Sequence, residues 1–456
     1  MAAATRIPPT LPECNDYDGA ILLDLRCYIA DLPNATTASS ATSRSLPIQV
    51  TFRAAPPPLL SHLCIHCPGL GLIFRHSVPR VVATDADLVL LRVPMNINAS
   101  LDVQSWDYFV YRPRVHRLDL LPNPYPMCFR DNEAALLSRE DGASYAVAAI
   151  SSWCPVYEGD NKDSIIRWDF RLHLYRSSDS EGWITMPMSL QDLARDKLLP
   201  LPAAADTEDD DHMPLYHKAS KTLAIGGKRG TVAWVDLWRG ILLSDVLGER
   251  PMMVFQDIPL PMPARGNRGR FLRQCEPNYI RDVAITRHKD TIKFVEMEIW
   301  PPKKQTQQVI PAGWKATTWS MPIPALTVVG SFTADWQCDC EAQVGDVTGD
   351  PHHWNLLSKL SGSNITPTLQ KVFTAYPIIS TPKKAVDDDD IVYFAHSNNI
   401  GLLKRLELVI AVNVRNKTLR GVAEMDVQKK NFILMPVFCT SDICRHLRKT
   451  IAVSSQ

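Results

Sequence analysis

Residues 221–247 read KTLAIGGKRGTVAWVDLWRGILLSDVL, and this stretch decides the fold class. Thr222-Leu223-Ala224-Ile225 and Thr231-Val232-Ala233-Trp234-Val235 are short runs rich in β-branched and aromatic residues, which fit a pleated surface. Gly226-Gly227 and the polar tip Lys228-Arg229-Gly230 separate them, with glycines free to take positive φ. A helix through two adjacent glycines would lose about 2 kcal/mol relative to alanine. Asp236 can fold its carboxylate onto backbone N–H groups two residues on. That starts a second turn at Trp238-Arg239-Gly240, which a positive φ at Gly240 is expected to end. Ile241-Leu242-Leu243 then resumes as a buried strand. A phosphate-binding loop would need a Lys-Ser/Thr ending and a following helix, and neither is here.

The same punctuation continues in both directions. Upstream, Ala20–Ala30 is a first or closing strand, and Ile48–Phe52, Leu63–Cys67, Val81–Ala83, Leu88–Val93 and Tyr108–Tyr111 follow at short intervals. Tyr145–Ile150, Ile165–Tyr175 and Trp183–Leu190 come next, the last two joined by a Ser/Asp/Gly turn. Downstream, Ala284–Thr286 and Ile292–Ile299 flank a His288-Lys289-Asp290 turn. The second of these alternates apolar and polar residues, which predicts one buried face and one wet face. Ile391–Phe394, Leu406–Val414 and Leu419–Val422 are strands with a turn at Asn416-Lys417. Ala35–Ser45, Leu201–Met213, Arg265–Arg273 and Ser380–Asp390 have loop composition. Trp354–Leu360 reads as a short helix. Ile443, Leu447 and Ile451 recur at helical spacing, with Asp442 before them and basic residues after, as a helix dipole favours.

More than a dozen short strands, 35 prolines and no βα alternation make this an all-β, mainly antiparallel chain. Packing so many short strands without long exposed edges favours a β-propeller-like fold of roughly five to seven blades with a short C-terminal helix. Two packed β-sandwich domains are the alternative. The expected division is a flexible N-terminus over 1–20, one propeller-like domain over 21–440 with its core motif at 221–320, and a helix and tail over 441–456.

VAWVDLWRGILLSDVL, the prolines of Asp257-Ile258-Pro259-Leu260-Pro261, Arg281-Asp282-Val283-Ala284 and Lys315-Ala316-Thr317-Thr318-Trp319 resemble the domain of unknown function 1618, a plant family expanded in grasses. Segments near both ends extend the likeness, among them Cys64-Ile65-His66-Cys67-Pro68-Gly69, Asp107–Tyr111, Asp390–Phe394 and Lys417–Glu424. The family carries no assigned activity. Its motif residues here are Trp234, Asp236, Trp238, Arg239, Gly240 and Asp245, for which the resemblance implies a structural role. The Leu174-Tyr175-Arg176-Ser177 strand end with Trp183 after it also resembles blades of F-box-associated and kelch-type propellers. No F-box accompanies it: Leu11-Pro12 precedes Ile21-Leu22-Leu23-Asp24-Leu25, but loop composition replaces the later helices.

Composition narrows the function classes. Lys+Arg and Asp+Glu balance at 49 each, which disfavours a chain built around nucleic acid or anionic membrane. The start lacks a signal-peptide core and no run reaches membrane-spanning length, so an intracellular, cytoplasmic or nuclear protein with reduced thiols is expected. On that reading the sequons at Asn34, Asn98, Asn364 and Asn416 are chance. His62, Cys64 and His66 share a strand face beside Cys67, but no second ligand pair stands at zinc spacing, so they read as core. Glu208-Asp209-Asp210-Asp211 lacks calcium-loop spacing. No catalytic motif is present, and neither a catalytic residue, a cofactor nor a metal is assigned. The expectation is a non-catalytic module that binds a protein partner through propeller loops. An enzyme or small-ligand binder using a central funnel is the alternative. A weaker one is nucleic-acid contact through Arg265, Arg268, Arg270 and Arg273, which also form the candidate interaction loop.

Overall fold

The computed structural model describes residues 11, 13, 17–70, 78–96, 105–127, 129–139, 142–158, 161–190, 217–247, 255–273, 275–300, 303–305, 308–310, 313–323, 335–361, 369, 373–380, 390–397, 408–425 and 438–447. The loops expected at Leu201–Met213 and within Ser380–Asp390 fall outside these residues, apart from Ser380 and Asp390. The chain divides into two compact units. One comprises Met1–Cys128, Ser138–Tyr145 and Val437–Gln456, and the other Phe129–Leu137 and Ala146–Pro436.

The first unit is built on one ten-stranded sheet that falls into two blade-like groups. Pro47–Arg53 pairs antiparallel with Ala38–Ala41 and Leu60–His66. Ile21–Asp24 lies parallel to Leu60–His66, and the last strand of the chain, Phe438–Ser441, adds antiparallel to it. Arg80–Asp85, Leu88–Pro94, Trp106–Arg112 and Arg117–Leu120 form a four-stranded meander. The Ser39↔Arg117 pair links the two groups at one end and the Arg26↔Arg80 bridge at the other, so the sheet nearly closes on itself. Alternate residues such as Ile48, Val50, Phe52, Val89, Leu91, Phe109 and Tyr111 fill one core. The short helix Ile443–Leu447 closes onto it through Ile443 and Cys444. Ala38–Ala41 corrects the loop expected there: pairing with Pro47–Arg53 overrides the weak strand preference of Ala and Ser.

The second unit holds four sheets of four or five strands. In chain order these are Ala134–Arg139 to Trp183–Leu190, Lys221–Gly226 to Gln256–Pro259, Arg281–Ile285 to Gln337–Gln343, and Phe373–Ile379 to Thr418–Glu424 with Thr348–Gly349 added. We refer to them as the first to fourth sheets. The meander read from residues 221–247 is the second, with Thr222↔Trp234 and Val235↔Ile241 in register. The period of two decides how the sheets stack. Val232, Trp234 and Leu242 point to the first sheet, whereas Ala233, Val235, Ile241 and Leu243 point to the third. On the third sheet Ile292 and Phe294 return that contact, while Val295 and Met297 pack on Phe394, Ile410 and Val412 of the fourth. Consecutive four-stranded meanders packed face to face make the chain all-β and propeller-like.

Three expectations from the sequence are corrected in this unit. Gly240 is the first residue of the Gly240–Asp245 strand and is absent from the positive-φ glycines, which include Gly226, Gly227 and Gly230. Hydrogen bonds from Trp238 and Arg239 to the Asp236 carboxylate shape that turn, so no left-handed residue is needed. Residues Arg265–Asn267 and Arg268–Leu272 are a 3₁₀ turn running into a short α-helix, not a plain loop. Finally, Thr291–Ile299 is buried on both faces through Met297, so the expected wet face is filled. The Trp354–Leu360 helix is present as Pro351–Ser361. Among the described residues, no helix is long and apolar enough to cross a membrane.

Candidate functional site

The turn Asp236–Gly240 is the hub of the second unit. The Asp236 carboxylate accepts hydrogen bonds from the backbone N–H groups of Lys218 (2.9 Å), Trp238 (3.0 Å) and Arg239 (3.2 Å) and from Arg239 Nη1 (3.1 Å). A carboxylate with four donors is committed to the fold. Trp238 Nε1 donates to the Cys275 carbonyl at 2.6 Å, and its ring meets Phe271 edge-on at 5.7 Å. Trp234 reaches the first sheet, donating Nε1 to the Glu133 carbonyl at 2.9 Å. Gly240 pairs with Asp236 on one side and Pro259 on the other. At the far end of the hairpin, Asp245 accepts from Thr231 Oγ1 (2.5 Å) and faces Arg229 at 3.6 Å.

Two buried charges of the third sheet extend this hub. Arg281 is fully buried and opposite Glu296 in the ladder, with Nη2 to Oε1 at 3.1 Å. Its Nη1 donates to the Leu237 carbonyl at 2.9 Å, and the guanidinium lies 4.9 Å from the Trp238 ring centre. Burial pulls its pKa down, against the opposing pull of Glu296. Lys293, on the opposite face of its strand, bridges Asp339 (2.9 Å) and Asp390 (3.1 Å). Arg415 completes the group with Nε and Nη2 at 3.0 and 2.6 Å from Asp390 Oδ2. Burial alone would lower the Lys293 pKa, but hydrogen bonds and charge from Asp339 and Asp390 hold it above the ordinary value. Thr318 and Cys340 touch at 3.0 Å beside this group, and burial pushes the Cys340 thiol up to about 11. A small cavity of about 10 Å³ is lined here by Lys293, Thr318, Ile379, Ser380, Asp390, Ile391 and Val392. That is room for about one water molecule.

The Arg265–Leu272 helical segment sits on the hub. Asn267 and Phe271 stand one turn apart and point inward. Asn267 Nδ2 donates to Glu296 Oε1 at 2.7 Å and to the Met297 carbonyl at 2.8 Å. Glu296 also accepts from the Ala264 N–H at 3.1 Å, and Glu298 from the Gly266 N–H at 3.1 Å. With the inner side pinned at these points, Arg265, Arg268 and Arg273 lie exposed on the outside. Arg270 is half-buried, its guanidinium 5.1 Å from the Tyr279 ring. Leu272 is 60% exposed and Met262 53%. All four arginines of the candidate loop therefore belong to one anchored element.

The sequence signal for the hub residues was their place in the family motif. Nothing in the alternation of Ile292–Ile299 distinguishes a buried Lys293 or Glu296 from a solvated one, because their partners Asp339, Asp390 and Arg281 come from elsewhere. In the first unit, His62 stands 3.7 Å from Asp24 and edge-on to Tyr28, while Cys64 and Cys67 are buried free thiols. No group of metal-ligating side chains occurs among the described residues. Asn34 donates its amide to Glu13 at 2.7 Å and to the Phe52 carbonyl at 2.8 Å, which places that sequon inside the fold's hydrogen bonding.

Residues 234–393 match the family described as Protein of unknown function (DUF1618), in agreement with the resemblance carried by the motif. No curated protein matches the chain. Among solved structures, the β-propeller domain of Myceliophteria thermophila Cps50 (Swd1) is 8% identical, with 75% of this chain and 84% of that one covered at a TM-score of 0.29. An arginine-substituted mutant of AofleA from Arthrobotrys oligospora is 9% identical, covering 92% and 95% at 0.33. A Synechocystis apocarotenoid oxygenase mutant is 8% identical, covering 91% and 79% at 0.33. The fold assignment rests on this chain's own sheets.

Proposed function

With the DUF1618 segment at 234–393 as the starting point, we propose that the chain is a non-catalytic protein-binding module whose contact face is the segment from Met262 to Arg273. One observation carries this reading. A helical turn pinned from within by Asn267 and Phe271 holds Leu272, Arg265, Arg268 and Arg273 out to solvent. An anchored turn loses little entropy on binding, and arginine with exposed apolar side chains is the composition of protein interfaces. The buried charged groups behind it, Asp236 with Arg239, Arg281 with Glu296 and Lys293 with Asp390, are spent on each other, which supports a scaffold more than a reaction centre. Contact with nucleic acid through Arg265, Arg268, Arg270 and Arg273 is less well supported, because an exposed leucine has no role on a phosphate backbone. A funnel enzyme has no observation in its favour.

The test is cross-linking mass spectrometry of the tagged full chain in extract of its source tissue. The expected result is a reproducible protein partner whose cross-links cluster on residues 262–279. Cross-links to a partner that map elsewhere, or no partner in replicate captures, would overturn the reading.

A further inference from the structure

The same segment narrows the chemistry of the partner, an inference that rests on the binding-module reading above. Between Asp257 and Glu276 the chain carries four arginines and no acidic residue, although the whole molecule is neutral. Among the described residues, no carboxylate forms an ion pair with Arg265, Arg268, Arg270 or Arg273, whereas the neighbouring Arg239, Arg281 and Arg415 each hold one. Like charges gathered on one short helical segment repel one another. An arriving carboxylate removes that repulsion and gains a charge-assisted hydrogen bond, bidentate where the guanidinium plane is held in place.

Arg270 is held in this way. Its guanidinium faces Tyr279, whose ring meets Tyr376 edge-on at 5.4 Å. Tyr376 is the extra residue of a bulge between Ala375 and Pro377 and has a left-handed φ of 55°. For a tyrosine that backbone is strained. The bulge re-aims the side chain out of the ladder and against Tyr279. The strain thus supports an ordered Tyr376–Tyr279–Arg270 stack beside the exposed arginines and Leu272.

We propose that the Arg265–Arg273 turn, with Arg270 ordered on the Tyr279–Tyr376 pair, docks an acidic peptide segment of another protein that also carries an apolar side chain for Leu272. Carboxylates, rather than phosphates, are its anions.

The test is selection of peptides of about a dozen residues from a displayed random library on the full-length chain, a length that spans typical linear recognition motifs. Fluorescence anisotropy with the enriched peptides follows. The expected winners combine Asp or Glu with Leu, Ile or Phe. Their affinity should fall about tenfold or more for Arg265→Ala/Arg268→Ala/Arg273→Ala, a chain that melts like the parent because those side chains are exposed. Replacing Arg270 by lysine should keep the charge yet still weaken binding, since lysine has no planar fork. Winners without acidic residues, or binding unchanged in the triple variant, would overturn the proposal. So would a single-stranded oligonucleotide that competes more strongly than the peptides. A source-tissue partner cross-linked to 262–279 while no acidic peptide is enriched would sink this inference and leave the binding-module reading standing. Absence of both would remove the two together.

Discussion

Arg281 and Glu296 show what a single buried charge does in this molecule. Removing one partner of such a pair leaves the other buried and unpaired, so Arg281→Met should lose about 3–5 kcal/mol in equilibrium denaturation. Adding Glu296→Leu should recover only part of it, because the Ala264 N–H and the Asn267 amide would then lose their acceptor. His173 gives a pH signature. Burial, with Arg171 nearby, lowers its pKa to about 4, and its ring nitrogens lie 3.1 Å from Ser151 Oγ and 3.0 Å from Thr185 Oγ1. Between that value and the ordinary 6.5 the unfolded chain binds a proton that the folded chain does not. Stability contributed by neutral His173 is therefore complete above about pH 6.5 and falls towards about pH 4, by an amount on the order of 2–3 kcal/mol. Denaturation of the parent and of His173→Asn across that range should show a shallower acid slope in the variant. Trp234 was legible as a strand residue from its place in a β-branched run, and because it is fully buried Trp234→Ala should cost about 3–5 kcal/mol. The buried state of Lys293 was not legible, since long-range partners rather than neighbours in sequence decide it.

At the scale of elements, the hairpin of residues 221–247 was readable because glycine placement and strand composition agree locally. Gly230 and Gly227 are both left-handed, at φ 63° and 75°, but a Cβ on Gly230 would collide with Leu247 while one on Gly227 meets open space. Gly230→Ala should therefore lower the melting temperature clearly more than Gly227→Ala, which bears only the backbone strain of about 1–2 kcal/mol. The Asp236–Gly240 turn was read correctly in position and wrongly in backbone, because a side-chain cap supplied what a left-handed glycine was expected to supply. The arginine-rich segment was read as a loop because two glycines lie within Arg265–Arg270. Its helical form comes from anchors in the next sheet, Glu296 and Met297, which local propensity does not contain. Asn267→Ala should cost about 1–3 kcal/mol and should also weaken partner binding by loosening the segment, a pairing that calorimetry and anisotropy on one preparation would show.

At the scale of the whole molecule, strand number and spacing were enough to predict an all-β, propeller-like chain, because meanders with apolar residues on both faces must stack on further sheets. Sequence could not show which polar residues lie in the seams between those sheets. In the second unit each seam has its own polar tie: Trp234 to Glu133 between the first and second sheets, Arg281 to Leu237 between the second and third, and Lys293 to Asp390 between the third and fourth. Arg281, Lys293 and their carboxylates are thus spent between sheets, whereas Arg265, Arg268 and Arg273 face outward. The most direct measurement is equilibrium denaturation of Lys293→Met beside Arg268→Met. The account predicts a loss of about 3–5 kcal/mol for the first and a change within about 0.5 kcal/mol for the second. Equal, small effects at both positions would contradict it, placing Lys293 on the wet face that its alternating sequence implied.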